Sequence, residues 1–308
     1  MILTVTLNTA LDVTYRVPSL TPHASHRVSE VRERPGGKGL NVARVLSALG
    51  HESVVTGFAG GPTGAVLRDL LAPLAPRDAL VPVAGTTRRT IAVVDDASGD
   101  TTQLNEPGPL VTAGEWATFL TSYDSLLPGA DAVALCGSLP PGIHVGAYAE
   151  LIRRARGAGV PVLLDTSGEP LRRGIAARPD LVKPNTDELA QLTGAREPLR
   201  ATRDARRRGA HTVVASLGPD GLLAATADGV WQATPPAPVK GNPTGAGDSA
   251  VAGLLSGLVE QLPWPDLLAR AVALSAATVL APAAGEFDAA AYEELLPHIA
   301  VTELADAA

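Results

Sequence analysis

Eight residues in the last quarter of the chain, Asn242-Pro243-Thr244-Gly245-Ala246-Gly247-Asp248-Ser249, have the composition of an anion-binding loop that opens a helix. Glycines allow a tight turn there and let a ligand approach backbone N–H groups closely. The first N–H groups of a helix have no partner inside the helix and lie at its positive end, so they attract anions. Asp248 could then accept a proton from a hydroxyl that attacks a phosphate, although a simple helix-start charge is the alternative.

A second glycine-rich loop, Pro35-Gly36-Gly37-Lys38-Gly39, also opens a helix and carries a lysine. It is not a Walker A loop, because no Lys-Ser or Lys-Thr follows a Gly-x-x-x-x-Gly spacing. Taken alone, it could also be a tight turn with a solvated lysine. Apolar residues at helical spacing between Leu40 and Leu49 predict the helix that follows, and Gly50 is a natural end for it.

The elements that must hold these loops alternate between apolar strands and helices. The predicted strands cover residues 2–7, 54–58, 132–135, 160–164, 181–182, 212–216 and 222–226. The predicted helices between them include residues 63–74, 147–158, 186–193 and 202–209. Such alternation implies a mostly parallel sheet that is covered by helices on both faces.

Two β-rich segments interrupt this order, at about 11–35 and 86–108. The first segment is polar, with short runs interrupted by Pro18 and Pro22. This pattern favours edge strands. The second reads as a hairpin of 90–94 with 101–105. We expect both segments to form a small β lid, while residues 1–10, 36–85 and 109–308 form one large α/β domain.

The composition limits the classes of function. The 308 residues are 45% hydrophobic and 19% charged, as in globular proteins. The formal net charge of −7 argues against nucleic-acid binding by general phosphate attraction. Cys136 is the one cysteine, so no internal disulfide and no cysteine cage for a metal can form. We expect a cytoplasmic protein without a membrane partner, because the amino-terminal segment lacks a basic signal region and the apolar stretch 271–284 is too short to span a bilayer.

The basic residues are unevenly chosen. Of the 25, three are lysines (Lys38, Lys183 and Lys240) and the other 22 are arginines. Two of the three lysines fall inside candidate ligand-binding segments. A solvated strand end is the expected position of Lys240.

Several blocks, taken together and in order, resemble the ribokinase-like (PfkB) sugar kinase family over essentially the whole chain. They cover residues 8–12, 36–50, 136–142, 182–189, 216–221 and 242–255. Residues 102–109 resemble one branch, the 1-phosphofructokinase and tagatose-6-phosphate kinase group. The resemblance implies a three-layer α/β/α fold with a mostly parallel central sheet and a small β-sheet lid over the sugar.

The resemblance also implies roles for individual residues. Asp248 matches the catalytic base, and the backbone of three residues matches the anion hole: Gly245, Ala246 and Gly247. Six residues match substrate-binding positions: Asp12, Gly37, Lys38, Asn41, Arg88 and Ser138. Five match nucleotide-binding positions: Lys183, Ser216, Gly218, Gly221 and Thr244. Two match the positions that organise Mg²⁺, through water: Asn185 and Glu188.

Some of these assignments have independent support in the sequence. Lys183 follows a strand, so it should emerge at the carboxyl edge of the sheet, where ligands bind in such folds. Strand residues alternate faces, so one of Arg88 and Arg89 should point inward, and the branch pattern favours Arg88. Arg27 is a weaker candidate for a phosphate contact. Asn242-Pro243-Thr244 replaces the Asp-Thr-Thr that often precedes the family's loop, which changes the residue near the nucleotide or metal.

The implied activity is ATP-dependent phosphorylation of a ketohexose phosphate to the bisphosphate, with ATP and Mg²⁺ as cofactors. Fructose 1-phosphate, tagatose 6-phosphate and fructose 6-phosphate stay open as substrates. A kinase for an unphosphorylated sugar or a nucleoside is the first alternative, and a non-catalytic sugar-phosphate sensor is the second. The partner is therefore a small sugar phosphate rather than a nucleic acid or membrane. Exposed lid strands could also pair two copies in a homodimer.

Overall fold

The fold is taken from a computed structural model that describes residues 1–281 and 283–304. The predicted large domain extends to residue 308, so Pro282 and residues 305–308 of it lie outside the described residues. No helix within the described ranges combines the length and the hydropathy that are needed to cross a membrane.

The described elements follow one another along the chain in the predicted order. The strands are β1 (Ile2–Thr6), β2 (Ala10–Val17), β3 (Glu30–Gly36), β4 (Ser53–Gly60), β5 (Arg77–Asp78), β6 (Val81–Val83), β7 (Arg88–Asp95), β8 (Thr101–Asn105), β9 (Ala132–Cys136), β10 (Val162–Asp165), β11 (Leu181–Val182), β12 (Thr212–Ser216), β13 (Leu222–Ala225), β14 (Val230–Thr234) and β15 (Ala300–Leu304). The helices are α1 (Lys38–Ala48), α2 (Gly61–Leu71), α3 (Ala113–Leu126), α4 (Ala147–Gly157), α5 (Gly168–Ala176), α6 (Thr186–Thr193), α7 (Pro198–Arg207), α8 (Ala246–Val259), α9 (Trp264–Val279) and α10 (Ala289–Leu295).

The central sheet has the order β15-β14-β13-β12-β11-β10-β9-β1-β4-β5, with β6 also paired to β4. Pairing is parallel from β12 to β5 and antiparallel from β12 to β15. The expected mostly parallel sheet is therefore confirmed. Because parallel strands end at the same edge, the loops after β1, β9, β10, β11 and β12 converge there.

Two apolar layers cover the sheet, one on each face. Successive strand residues point to opposite faces, so Leu3 and Val5 of β1 pack in one core with Tyr148. Ile2 packs in the other core with Leu254 of α8. This arrangement confirms the three-layer α/β/α architecture.

A separate four-stranded sheet has the order β3-β2-β7-β8. The predicted hairpin forms, with Thr90 opposite Asn105 and Val94 opposite Thr101. The expectation of edge strands over 11–35 holds for β3 but is wrong for β2, which lies between β3 and β7. Pro18 lies just after β2, so it ends the strand without taking a place inside it.

Two helix starts also differ from the prediction. The helix expected over 63–74 is α2, which begins at Gly61. The helix expected from Thr202 begins at Pro198, because proline suits the first helical position and the Glu197 carboxylate accepts hydrogen bonds from the N–H groups of Leu199 and Arg200. The helix over 186–193 is confirmed without change.

Helix α8, which carries the candidate catalytic loop, is positioned by close packing on α9. A Cβ at Gly253 would lie 2.7 Å from Cα of Ala271, so only hydrogen fits between the two backbones. We expect Gly253→Val to lower the free energy of unfolding by roughly 1–3 kcal/mol through overpacking, measured by urea denaturation.

Gly157 provides the matched control, since nothing lies within 4 Å of its would-be Cβ. Gly157→Ala should leave stability unchanged or raise it by up to about 1 kcal/mol, because alanine is the better helix former. Equal stability of Gly253→Val and wild type would contradict this account of how α8 is held.

Candidate active site

The loop before α8 makes a tight turn into the helix. Gly245 has φ of 88°, and a Cβ there would lie 2.7 Å from Cα of Ala284, so the position requires glycine. The first intrahelical hydrogen bond runs from the Ser249 N–H to the Gly245 carbonyl (2.9 Å). The N–H of Ala246 donates to the Pro243 carbonyl (3.1 Å), so this member of the predicted anion hole is engaged in the turn.

Asp248 lies in the first turn of α8 and is 7% exposed. Its Oδ2 accepts a hydrogen bond from Nδ2 of Asn41 on α1 (2.8 Å). Burial raises the pKa of Asp248 to about 6, even though Lys38 and Asn41 favour the charged form. A buried carboxylate with such a pKa suits a base that takes a proton near neutral pH.

Asp12 on β2 lies near Asp248, and burial raises its pKa to about 6 as well, against the attraction of Arg88. Arg88 is half-buried and donates to the backbone carbonyls of Asn8 and Glu106, each at 3.3 Å. Arg89, its neighbour, is exposed and pairs with Glu106 (3.1 Å). The structure thus turns Arg88, and not Arg89, towards the protein interior.

Lys38 and Lys183 converge on one buried carboxylate, that of Asp165 at the end of β10. The Nζ of Lys38 lies 3.2 Å and that of Lys183 lies 3.6 Å from its oxygens. Burial opposes ionisation of Asp165, but the two lysines outweigh it and hold the pKa of this carboxyl below its usual range. Asp165 in turn raises the pKa of Lys38, which keeps the ammonium of this lysine charged.

Lys183 connects this cluster to the loop before α8. It is 4% exposed, and a Cβ at Gly247 would lie 3.6 Å from its Nζ. A positive charge and the amino end of a helix therefore face the same small space, where an anion would be favoured. This is the position in which sequence reasoning expected phosphates.

Asn185 and Glu188 form a capping box at the start of α6. The Glu188 N–H donates to Oδ1 of Asn185, and the Asn185 N–H donates to Oε2 of Glu188, both at 2.8 Å. Glu188 is also close enough to raise the pKa of Lys38. Across the described residues, no group of three or more His, Cys, Asp or Glu side chains could hold a metal. The two oxygen donors fit a Mg²⁺ ion, which keeps most of its water and uses one or two carboxylates.

The predicted nucleotide loop lies beside this capping box. Asn185 forms a parallel bridge with Ser216, whose N–H donates to the Pro184 carbonyl (2.9 Å). Gly218 and Gly221 lie between β12 and β13. Thr244 is exposed on the loop before α8, and Lys183 approaches that loop at Gly247.

A cavity of about 670 Å³ lies between the small sheet and this edge, and Asp12 and Thr244 both line it. Gly37 has φ of 108° at the start of α1, and a Cβ there would lie 2.7 Å from Cγ2 of Thr6. Ser138 is exposed after β9 and accepts a hydrogen bond from Nδ2 of Asn8 (3.1 Å). Asp12 therefore lines this cavity, whereas Ser138 lines a separate one of about 410 Å³.

Two candidates lie apart from this cluster. Arg27 is exposed on the loop between β2 and β3. Lys240 is exposed in the loop after β14, which ends at Thr234, so the expected strand end is wrong for this lysine.

The pfkB family carbohydrate kinase model matches residues 4–290. The chain belongs to this family. A 1-phosphofructokinase from Rhodobacter capsulatus is 42% identical over 262 residues, covering 82% of each chain.

Solved structures agree with this membership. Phosphofructokinase-2 from Escherichia coli in complex with fructose-6-phosphate has a TM-score of 0.87 at 30% identity and covers 96% of this chain and 98% of its own. A protein from Thermotoga maritima, named possible 1-phosphofructokinase, has a TM-score of 0.90 at 29% identity and covers 99% of this chain and 100% of its own. The PfkB chain described here is thus a sugar-phosphate kinase, with ATP as a substrate and, as is typical of the family, a divalent metal.

Some residues of this PfkB site escaped sequence reasoning. Asp165 is the last residue of an apolar strand, so the sequence places it at the carboxyl edge of the sheet. The sequence does not show which residues it pairs with. Arg44 and Arg34 both pair with Glu286 (2.8 and 2.7 Å), and Arg44 also donates to the Ala284 carbonyl (3.1 Å). The spacing could have indicated Arg44, because it lies three positions after Asn41 and therefore on the same face of α1.

The raised pKa of Asp248 has a measurable effect on stability. Between the ordinary value of 3.8 and about 6, the folded state binds a proton more readily than the unfolded state, so stability falls as pH rises through this range. Asp248→Asn removes the buried charge. We expect its Tm to exceed that of wild type above pH 6, with the difference shrinking towards pH 4, in thermal melts at several pH values.

The exposed Asp69 on α2 provides the same chemical change on a solvated surface. Asp69→Asn should follow the wild-type melts closely. A Tm difference for Asp248→Asn that does not depend on pH would contradict the role given to burial of this carboxylate.

Proposed function

We propose that this PfkB kinase transfers the γ-phosphoryl group of ATP to a fructose phosphate and forms the bisphosphate, with fructose 1-phosphate as the substrate. The observation that carries the proposal is the Asp248 carboxylate in the first turn of α8, with Lys183 facing the same turn. The choice of fructose 1-phosphate is supported by the 42% identical 1-phosphofructokinase. Fructose 6-phosphate and tagatose 6-phosphate are the alternatives within the same reaction.

In the proposed reaction, the ionised Asp248 takes the proton of the attacking sugar hydroxyl. Asn41 orients that carboxylate through its 2.8 Å hydrogen bond. The amino end of α8 and Lys183 stabilise the negative charge that develops on the transferred group. Such fixed groups stabilise charge well, because they need no reorganisation during the step.

Substrate and cofactor residues surround this centre. Asp12 accepts sugar hydroxyls, and Lys38 and Arg88 face the sugar phosphate. Asn185 and Glu188 hold Mg²⁺ through water, and the ion supplies charge neutralisation at the phosphates of ATP. Ser216 and the two glycines of the 216–221 loop contact the nucleotide.

The four-stranded sheet acts as a lid in this proposal, formed by residues 11–35 and 86–108 over the larger domain. Closure excludes water, which would otherwise take the phosphoryl group. Val31 and Leu104 are each 56% exposed on this sheet. Their exposure supports a homodimer formed through the lids, in line with the tetrameric form recorded for the Escherichia coli phosphofructokinase-2. A cytoplasmic location stays a prediction.

Two other functions fit the site less well. A kinase for a neutral sugar or nucleoside would leave Arg88 without an anionic ligand in the closed site, which is unfavourable, whereas Lys38 would keep its pairing with Asp165. A non-catalytic sugar-phosphate sensor would have no need of a buried carboxylate at the helix start, yet Asp248 and the glycines before it are present.

The base assignment predicts a large rate effect. Asp248→Ala should lower kcat by roughly 10²- to 10⁴-fold, the range for a lost general base. Binding of fructose 1-phosphate should persist, because Asp12, Lys38 and Arg88 are unchanged. A coupled assay of ADP release measures kcat, and calorimetry measures sugar binding.

Asp266 supplies the control, since it is an exposed aspartate in the first turn of the adjacent helix α9. Asp266→Ala removes a helix-start charge without touching the site and should keep near-normal kcat. If both variants keep near-normal kcat, Asp248 is only a helix-start charge.

The phosphate assignment is tested with the arginine pair. Arg88→Ala should raise KM for fructose 1-phosphate by roughly 10- to 100-fold, as expected for loss of about 1.5–3 kcal/mol in charged hydrogen bonds. Its activity on fructose should change far less. Arg89→Ala, on the exposed face of the same strand, is the matched control and should leave both KM values within about twofold. Equal effects of Arg88→Ala on both sugars would refute the phosphate contact.

A further inference from the structure

A second cavity, of about 710 Å³, lies at the opposite edge of the central sheet from the candidate active site. Its lining includes Asp180 and His211, which immediately precede β11 and β12. It also includes Ala225 and Val230, where β13 ends and β14 begins. Asp180 and His211 mark the amino-terminal ends of two parallel strands, so the cavity is separate from the site described above.

Arginines from three segments converge on this cavity. They come from the last turn of α4, from the loop after α5 and from α7, namely Arg156, Arg178, Arg203, Arg206 and Arg207. The acidic residues of the lining are Asp180 and Asp228. Asp204, beside the cavity, pairs with Arg207. Positive charges outnumber negative ones even when Asp204 is counted, in a chain whose net charge is −7.

Backbone carbonyls fix two of these guanidinium groups. Nε of Arg206 donates to the His211 carbonyl (2.9 Å), and Nη1 of Arg156 donates to the Ala177 carbonyl (3.2 Å). A guanidinium has five N–H donors in a rigid plane, so one such bond orients the group without using up its donors. Arg206 and Arg156 are thus positioned before any ligand arrives.

Arg178 has a backbone conformation that glycine would adopt more easily. Its φ is 62°, and its N–H donates to the Ile175 carbonyl (2.9 Å) as it ends α5. Left-handed backbone costs a non-glycine residue about 1–2 kcal/mol, and glycine is the usual residue at this position after a helix. The chain has an arginine here, with its side chain lining the cavity.

We propose that this cavity binds a small ligand that carries two or more phosphate groups. Planar guanidinium groups match phosphate oxygens in bidentate fashion, and several at fixed positions suit more than one phosphate. The volume lies in the range of small-molecule sites. A cavity within a chain of net negative charge fits a small polyanion better than a nucleic acid, which needs an extended basic surface.

Calorimetric titration with inorganic pyrophosphate at low ionic strength tests the proposal. The candidate active site also attracts phosphates, so wild type should bind pyrophosphate at two sites. Arg206→Gln and Arg178→Gly should each weaken pyrophosphate binding at the cavity by at least tenfold. Binding at the candidate active site should stay unchanged. Arg178→Gly removes the charge and also relieves the left-handed strain, so its Tm should equal or exceed that of wild type. KM for ATP should stay within twofold in both variants.

Arg153→Gln is the matched control, because Arg153 is exposed on α4 and does not line the cavity. It should bind pyrophosphate as wild type does. Identical titrations of wild type, Arg206→Gln and Arg178→Gly would overturn the proposal, as would an equal loss in Arg153→Gln. Orthophosphate should bind at the cavity at least tenfold more weakly than pyrophosphate. Tighter binding of a single-stranded oligonucleotide, lost in the same two variants, would replace the proposed ligand with a nucleic acid.

Discussion

The site depends on one buried carboxylate, that of Asp165, between two lysines. An isolated buried charge of either sign would be strongly unfavourable, so the buried Asp165 carboxylate needs positive groups beside it. Together they hold Lys38, at the start of α1, and Lys183, after β11, at distances of 3.2 and 3.6 Å from the same group. The cluster therefore joins the glycine-rich loop before α1 to the end of β11, the two segments for which we propose sugar and nucleotide binding.

Asp248 illustrates the opposite use of burial. Here desolvation outweighs the favourable partners, and the pKa of the carboxyl rises to about 6. The two carboxylates lie on the same sheet edge, but one has two lysines within 4 Å and the other has a neutral amide as its hydrogen-bond partner. This difference in immediate surroundings lowers the pKa of Asp165 and raises the pKa of Asp248 towards neutral pH, where it can exchange a proton.

Much of this was predictable from the sequence, because the decisive signals are local. Glycine loops that open helices, apolar strands and residues at strand ends specify which segments meet at the carboxyl edge, as Gly245 and Lys183 illustrate. The contribution of Asp165 was not predictable in that way, because its partner Lys38 lies 127 positions away and no local pattern encodes the pair. The inner position of β2 escaped for a similar reason, since its pairing with β7 depends on strands 78 residues apart in register. The helix start at Pro198 was missed because Glu197 is a less common cap than Ser or Asp.

The positions of the few lysines can be explained by the size of the lysine head group. Lys38 and Lys183 share one carboxylate, and two compact ammonium groups fit around it where planar guanidinium groups would need more room. Arginine is used instead at Arg88 on β7 and in the second cavity. There a flat group with many donors can pair with carbonyls or with several oxygens at once. Lys240, the third lysine, is exposed and has no such constraint. The division suggests that the chain keeps lysine at the centre of the site because two positive charges must approach one buried carboxylate from different elements, and the smaller head group allows both to do so.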